Sequence, residues 1–173
     1  RIVETEKKLS MQTEGLEIRG MIDRVDRHSE TGAIRLIDYK TSDRDITPLD
    51  AHLQGAAHHA PEYAQIAIGR KIRCWADLQL PLYCELYRQH DPGIDADRIA
   101  PAYFNIPKAV TRTDVAVWDD FSPAIRDSAR QCANEVSRRI RAGVFWPPRS
   151  RVNYDDFERL GYGHEIADTF EPL

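Results

Sequence analysis

The chain has 173 residues, 42% of them hydrophobic and 30% charged, and its formal net charge is −4. This composition is typical of one globular domain with a buried core, and the acidic balance disfavours a protein that coats nucleic acid through general positive charge. No run of 18 apolar residues occurs, which excludes a transmembrane helix, and no signal peptide is visible. We therefore expect a cytoplasmic protein without membrane contact. Because the sequence starts at Arg1 and already reads as a strand, we expect a fragment of a longer protein.

Three segments of alternating polarity open the chain. Residues 2–12 and 16–27 are separated by the turn signal Thr13-Glu14-Gly15, and a second turn at residues 29–32 leads into residues 34–41. Alternation with a period of two, bounded by turn residues, is typical of half-buried strands. The pattern predicts a three-stranded antiparallel meander.

The middle of the chain gives weaker signals. Pro48 and Asp50 favour a short helix that ends at Leu53, and residues 63–68 and 71–75 favour a small hairpin. Asp77 is a good N-cap for a helix over residues 78–90, because its side chain can accept a hydrogen bond from the first helical turn.

The last part predicts one more strand, over residues 99–106, and a long helix after Ser122-Pro123. On that helix Ile125, Ala129, Cys132, Val136 and Ile140 share one face, and Gly143 ends it. We expect a folded core over residues 1–146 and a partly disordered tail over 147–173. A sheet followed by helices that pack on it predicts a mixed α/β (α+β) fold.

The cysteines, Cys74, Cys84 and Cys132, form no CxxC pair and are odd in number. Scattered thiols are typical of a reducing cytosol, and the pattern favours small buried apolar residues over a disulfide framework.

Residues 20–41 carry the chemically informative pattern. The second turn pairs residues whose numbers add up to about 61, so Asp23 and Asp38 should lie opposite each other with Cβ atoms about 5 Å apart. By alternation their face also carries Met21, Val25, Ile34 and Leu36, which should point to the core. A bulge or a slip of one residue would turn Asp23 to the other face.

Two carboxylates side by side on an apolar face repel each other, and burying either costs several kcal/mol unless it is compensated. Lys40 offsets one charge. A divalent cation would offset the other, and hard oxygen ligands suit Mg²⁺ or Mn²⁺. The alternative is an Asp–Lys–Asp ion cluster that is partly exposed to solvent at the end of the sheet.

Three motifs resemble the nuclease domain of the RecB/AddB/Cas4 branch of the PD-(D/E)XK nucleases. They occur in the family's order over residues 4 to about 90: Gly20-x-Ile22-Asp23-Arg24-Val25-Asp26, then Ile37-Asp38-Tyr39-Lys40-Thr41, then the Q-x-x-x-Y helix motif at Gln79 and Tyr83. The resemblance implies a restriction-endonuclease-like core, in which helices flank a central mixed sheet. It also implies Mg²⁺- or Mn²⁺-dependent hydrolysis of DNA and a helicase domain or subunit as partner.

The resemblance further implies roles for single residues. Asp23, Asp38 and the backbone carbonyl of Tyr39 would hold the metal, and Lys40 would orient or activate the attacking water or stabilise the transition state. Gln79 and Tyr83, four residues apart on one helical face, would look onto the site.

An acidic residue on the first strand completes the family's site. Glu6 has the best spacing, but Glu4 shares its face by alternation, so alternation cannot choose between them. A surface ion pair remains an equal alternative for either residue.

Other features favour less specific interpretations. Residues 143–173 contain no cysteine, so we expect no iron–sulfur cluster of the kind that some relatives carry. His52, His58 and His59 lack the acid and cysteine spacing of a zinc site and are expected to be loop histidines. The basic residues of the last helix favour a solvated face over phosphate contacts: Arg126, Arg130, Arg138, Arg139 and Arg141.

Two functions follow from the sequence. The favoured one is a DNA nuclease, most consistent with an exonuclease of a helicase–nuclease repair system, because Asp23, Asp38 and Lys40 are all present. The alternative is an inactive DNA-binding or scaffolding module of a repair complex.

Overall fold

The computed structural model describes residues 1–44, 46–55 and 60–145. Two compact units divide the chain, Arg1–Ser137 and Arg138–Leu173, and the second unit is described only for residues 138–145. In chain order the elements are β1 (Ile2–Thr13), β2 (Leu16–Arg27), β3 (Ile34–Lys40), α1 (Pro48–His52), β4 (Leu53–Gly55), β5 (Gln65–Ile68), β6 (Lys71–Trp75), α2 (Gln79–His90), β7 (Ile99–Asn105), β8 (Asp114–Val117) and α3 (Pro123–Arg141).

A five-stranded mixed sheet forms the centre, in the order β1-β2-β3-β7-β8. All neighbours are antiparallel except β3 and β7, which are parallel. A smaller antiparallel sheet has the order β4-β6-β5. The mixed α/β fold class predicted from the sequence is confirmed.

The core gathers apolar side chains from the large sheet, the small sheet and both long helices. Val25, Ile34 and Leu36 come from β2 and β3, and Leu53, Trp75, Cys84 and Ile125 join them from the other elements. Burial of such side chains stabilises the fold by about 1.5–3 kcal/mol each. The β2–β3–β7 part of the sheet, which contributes to this core, also carries residues of the site described below.

The predicted meander and the hairpin of β5 and β6 are confirmed, while several details differ. Thr47, rather than Pro48 or Asp50, caps α1 by accepting the N–H of Asp50. Helix α2 begins one residue later than predicted, at Gln79, whose N–H donates to the Asp77 carboxylate. Strand β8 was missed, because four residues at a sheet edge leave too short a pattern to read.

The face predicted for the last helix is correct at its start and wrong at its end. Ile125, Ala129 and Cys132 are buried, whereas Val136 and Ile140 are largely exposed. Cys84 is buried as well and Cys74 partly so, and all three thiols are free, as the pattern of small buried residues predicted. No helix in the described ranges is both long and apolar enough to cross a bilayer. The predicted boundary at residue 146 and the predicted tail over residues 147–173 lie outside the described residues.

Candidate active site

The carboxyl end of β3 presents Asp38 and Lys40. Asp38 is only 4% exposed, and its Oδ2 lies 2.7 Å from the Lys40 ammonium. That oxygen is buried, and among the described residues the ion pair with Lys40 compensates its charge. Burying a carboxylate with a single ion-pair partner is costly, and a second cation would lower that cost.

Asp23 approaches the same end of β3 from β2. Paired residues of these strands have numbers that add up to 61, as predicted, from Arg27↔Ile34 to Arg24↔Ile37. The ladder then stops one residue short of Asp23 and Asp38. In place of the next ladder bond, Oδ2 of Asp23 accepts the N–H of Tyr39 at 2.9 Å. The Asp23 carboxylate is thereby fixed to the backbone between Asp38 and Lys40.

The charges of neighbouring carboxylates affect the pKa values of Asp38 and Tyr83. Burial raises the pKa of Asp38, Lys40 lowers it, and the charges of Asp23 and Asp77 raise it further. Burial likewise raises the pKa of the Tyr83 hydroxyl, and the charges of Asp38, Asp23 and Asp77 add to that rise. Asp23, Asp38 and Asp77 therefore all contribute negative charge near the Tyr83 hydroxyl.

The alternation predicted for β2 breaks beside the site. Met21 is 42% exposed while Ile22 is fully buried, and Ile22 and Val25 lie in one core cluster despite their odd spacing. The prediction that Met21 faces the core is therefore wrong. Opposite Asp23, between Thr5 and Lys7 of β1, Glu6 has a φ of 49°, a left-handed conformation that costs an L-residue about 1–3 kcal/mol.

Glu4 and Glu6 differ in exposure and in contacts, although the β1–β2 register is constant from Glu4 to Lys7. The β1–β2 register shifts between Ile2 and Glu4. The Glu4 side chain is partly buried and ion-paired to Lys7 at 2.8 Å, whereas Glu6 is exposed and lies opposite Asp23. Of the two, Glu6 is the residue whose carboxylate is not engaged by Lys7. Its role in the site stays a prediction.

Helix α2 brings Gln79 and Tyr83 to the ammonium of Lys40. Lys40 Nζ donates to Gln79 Oε1 at 3.3 Å, and Gln79 Nε2 donates to the Tyr83 hydroxyl at 3.1 Å. Gly20 makes this approach possible, because a Cβ there would lie 3.0 Å from the Tyr83 ring. The four-residue spacing of Gln79 and Tyr83 thus produces the shared face that the sequence predicted.

The donor set fits a hard divalent cation. Asp23 and Asp38 supply carboxylate oxygens, which suit Mg²⁺ or Mn²⁺. Among residues 1–44, 46–55 and 60–145, no group of three or more His, Cys, Asp or Glu side chains is arranged to hold a metal. Further ligands would have to be backbone oxygens such as that of Tyr39, water or substrate.

The zinc interpretation fails for the one histidine of its set that the structure describes. His52 is fully buried, and its two ring nitrogens contact the Asp77 carbonyl and the Tyr103 hydroxyl. His58 and His59 lie outside the described residues. The expectation of a loop histidine is wrong for His52, which is the buried last residue of α1, and Tyr103 was not singled out because it is an ordinary member of a buried strand.

Two of the basic residues of α3 form ion pairs that the structure describes, and the solvated face of the whole helix stays a prediction. Arg126 pairs with Asp97 and also donates to the Phe121 carbonyl, and Arg130 pairs with Asp127 at 2.9 Å. These side chains are held by carboxylates and a carbonyl of the same domain.

The fold and the site together define a class of protein: a mixed sheet whose central strand ends in Asp-x-Lys, with a second aspartate on the preceding antiparallel strand. The model of the PD-(D/E)XK nuclease superfamily matches residues 1–152. The chain belongs to this superfamily. Membership implies a phosphodiesterase that acts on nucleic acid, and members of the superfamily typically use a divalent metal.

Among solved structures, the chain is similar to a protein from Eubacterium rectale described as a "Putative exonuclease", with 15% sequence identity and a TM-score of 0.48. The match covers 98% of this chain and 54% of the other, so the chain spans about half the length of that protein. No curated protein matches the sequence.

Proposed function

We propose that the domain is a metal-dependent deoxyribonuclease of the RecB/AddB/Cas4 branch, and that Asp23, Asp38 and Lys40 are its catalytic core. The order and spacing of the three motifs support the branch, and the geometry at the end of β3 supports the chemistry. The observation that carries the proposal is the buried Asp38 carboxylate at the end of β3, whose Oδ2 lies 2.7 Å from the Lys40 ammonium.

Asp23 and Asp38 would hold the cation, with the Tyr39 carbonyl as a third protein ligand. When bound, the metal supplies positive charge for the phosphate and lowers the pKa of a water. The Asp23 carboxylate has little freedom to turn away, because its Oδ2 is fixed by the Tyr39 N–H. Such fixed ligands reduce the reorganisation that the reaction requires.

Lys40 has two roles in this scheme. Its ammonium partly neutralises Asp38 before substrate arrives, and it faces the same space as the carboxylates, where it can donate to an attacking water or to a phosphate oxygen. Gln79 holds the ammonium through its Oε1 and is itself held by Tyr83. Because the pKa of Tyr83 is raised, its hydroxyl stays protonated and serves as a hydrogen-bonding group, not as a base.

The proposal extends to the biological setting. The domain would degrade DNA from its ends as part of a cytoplasmic helicase–nuclease that processes double-strand breaks, with a helicase domain or subunit as partner. The resemblance of the three motifs to that branch supports this setting.

Digestion of end-labelled linear DNA beside a covalently closed circle, with Mg²⁺ or Mn²⁺, tests the activity. We expect the linear DNA to be shortened from its ends and the circle to persist. Cleavage of both substrates would replace the exonuclease with an endonuclease. No cleavage of either, with no rise in melting temperature on addition of millimolar Mn²⁺, would favour a DNA-binding or scaffolding module, because a cation that binds only the folded state must raise the melting temperature.

A further inference from the structure

His52 occupies a buried position next to the site and has both ring nitrogens engaged. Its Nδ1 lies 2.9 Å from the Asp77 carbonyl oxygen, and its Nε2 lies 2.9 Å from the Tyr103 hydroxyl. A carbonyl oxygen can only accept, so Nδ1 carries the proton, and Nε2 must accept from Tyr103. Burial lowers the pKa of His52, which agrees with this neutral tautomer.

On one side, the His52 imidazole is connected to Lys40 through contacts with Tyr103. Tyr103 lies beside Asp38 in the parallel β3–β7 pair, and its ring lies under the ammonium of Lys40, 4.8 Å from Nζ to the ring centroid. Burial raises the pKa of Tyr103, so its hydroxyl keeps the proton that it donates to His52. The hydroxyl contact therefore fixes the ring on which the ammonium rests.

The Asp77 side of the imidazole leads to Lys40 by a second route. Asp77 precedes α2, and its carboxylate accepts the N–H of Gln79 at 2.7 Å. Gln79 in turn accepts from Lys40. His52 thus holds the backbone at the start of the helix that carries Gln79. Lys40, Tyr103, His52, Asp77 and Gln79 close a ring of contacts, named here the His52 circuit.

We propose that His52 is a positioning residue that fixes the Lys40 ammonium, through Tyr103 on one side and through Asp77 and Gln79 on the other. The inference rests on the proposed function, in which Lys40 acts on the water or the phosphate. The His52 ring is stacked against Trp118 with an interplanar angle of 14°, a contact that another aromatic ring at this position can also make. What an apolar ring lacks is the donor and the acceptor that the two routes need.

Four substitutions separate positioning from packing. His52→Phe keeps an aromatic ring and removes both links, and Tyr103→Phe removes one link and keeps the ring under Lys40. His52→Gln retains an acceptor for Tyr103, and His52→Asn retains a donor for Asp77. Ser128→Ala is the matched control, because it removes a hydrogen bond from Trp75 Nε1 in the same core, away from Lys40.

Steady-state cleavage of DNA gives the first readout. We expect kcat of His52→Phe to fall by about 10–100-fold with KM unchanged, since misplacing a group that acts in the transition state lowers kcat. Tyr103→Phe, His52→Gln and His52→Asn should fall in between, and Ser128→Ala should lose melting temperature only. Equal kcat for His52→Phe and Ser128→Ala overturns the inference.

The ring-current shift of the Lys40 ε-methylene in NMR spectra gives a readout that needs neither activity nor metal. The chain has five lysines, so Lys40→Arg identifies the signal. We expect an upfield Lys40 signal in the wild type that returns toward the other lysines in His52→Phe, and an unchanged signal in His52→Phe overturns the inference. If the wild type cleaves no DNA yet this signal moves, the proposed function fails and the positioning by His52 stands.

Discussion

At the turn end of the β2–β3 pair, the strands follow a regular register, and Val25, Ile34 and Leu36 are fully or almost fully buried. At the other end, the ladder stops, the Asp23 side chain accepts a backbone N–H, and the buried Asp38 carboxylate depends on its ion pair with Lys40. The turn end has the paired backbone and the buried apolar side chains that stabilise a sheet. The other end lacks the next ladder pair and buries a charged carboxylate. The comparison teaches that this strand pair gains stability at one end and carries a reactive, costly arrangement at the other.

The strain extends to β1. Glu6, opposite Asp23, adopts a positive φ, whereas the described residues around the turn end show positive φ at Gly32, where no Cβ is present to resist it. Unfavourable backbone conformations of L-residues cluster at functional sites because the surrounding structure holds them there. If the two ends differ in this way, substitutions at the turn end should lower the free energy of unfolding, and substitutions at the other end should lower metal binding or the rate of cleavage.

The largest effect is expected for Asp38→Ala. Removing this carboxylate takes away the buried metal ligand, so both divalent-metal binding and DNA cleavage should be lost, the latter by about a thousandfold or more. Single-turnover cleavage together with calorimetric titration of Mn²⁺ measures both. The folded state should persist, because a buried charge is removed, and circular dichroism checks this. Retained cleavage would assign the metal to other residues.

Lys40→Ala should abolish cleavage yet leave metal binding nearly intact. The Asp38 carboxylate then has no cation beside it, so the variant should be less stable, and bound Mn²⁺ should raise its melting temperature more than that of the wild type. Thermal melts with and without Mn²⁺ measure the difference. Equal activity of wild type and variant on single-stranded DNA would remove Lys40 from the mechanism.

Leu36→Ala tests the opposite end of the same strand. Its side chain is fully buried, so we expect a loss of about 2–5 kcal/mol in the free energy of unfolding from lost burial and cavity formation. The rate of cleavage per folded molecule should not change. Urea denaturation and active-site titration measure the two quantities, and a loss of activity beyond the loss of folded protein would show that the two ends are not separable.

The smallest effect concerns pH. Burial lowers the pKa of His52 below its usual value, with Lys40 adding to the lowering while Asp77 and Asp38 oppose it. The unfolded chain therefore takes up a proton below about pH 6.5 that the folded chain resists. Stability is complete above that pH and is lost as the pH falls toward the folded pKa, by about 1.4 kcal/mol per pH unit.

His52→Gln removes this contribution, so unfolding free energies of the wild type should decline more steeply than those of the variant below pH 6.5. Tyr103, which donates to His52 Nε2, is unchanged in this comparison and keeps its proton throughout the range. Parallel pH profiles of the two proteins would contradict the buried neutral imidazole.

The sequence allowed the β1–β3 meander and the β2–β3 register to be predicted, because turn residues and alternation are local signals. It did not allow the break at Asp23 to be predicted. The letters LEIRGMIDRVDR fit regular alternation, and only the burial of the side chains reveals that Ile22 lies in the core and Met21 does not. Burial of this kind depends on packing between elements distant in sequence, which no local pattern contains.

The main residues of the candidate site could be predicted from the sequence, but the residues that hold them in position could not. Asp38, Lys40, Gln79 and Tyr83 follow from motif spacing, and the structure brings them together. The contacts of His52 join α1 to β7 and to the start of α2, across 25 and 51 residues of chain. Long-range contacts of this kind need the fold before they can be recognised.

Manganese binding followed by electron paramagnetic resonance tests the central claim most directly, in wild type, Asp23→Asn, Asp38→Asn and the distant control Asp127→Asn. We predict one bound Mn²⁺ in the wild type and the control, and greatly weakened binding in both site variants. Unchanged binding in Asp38→Asn and Asp23→Asn would contradict a metal site shared by these two carboxylates.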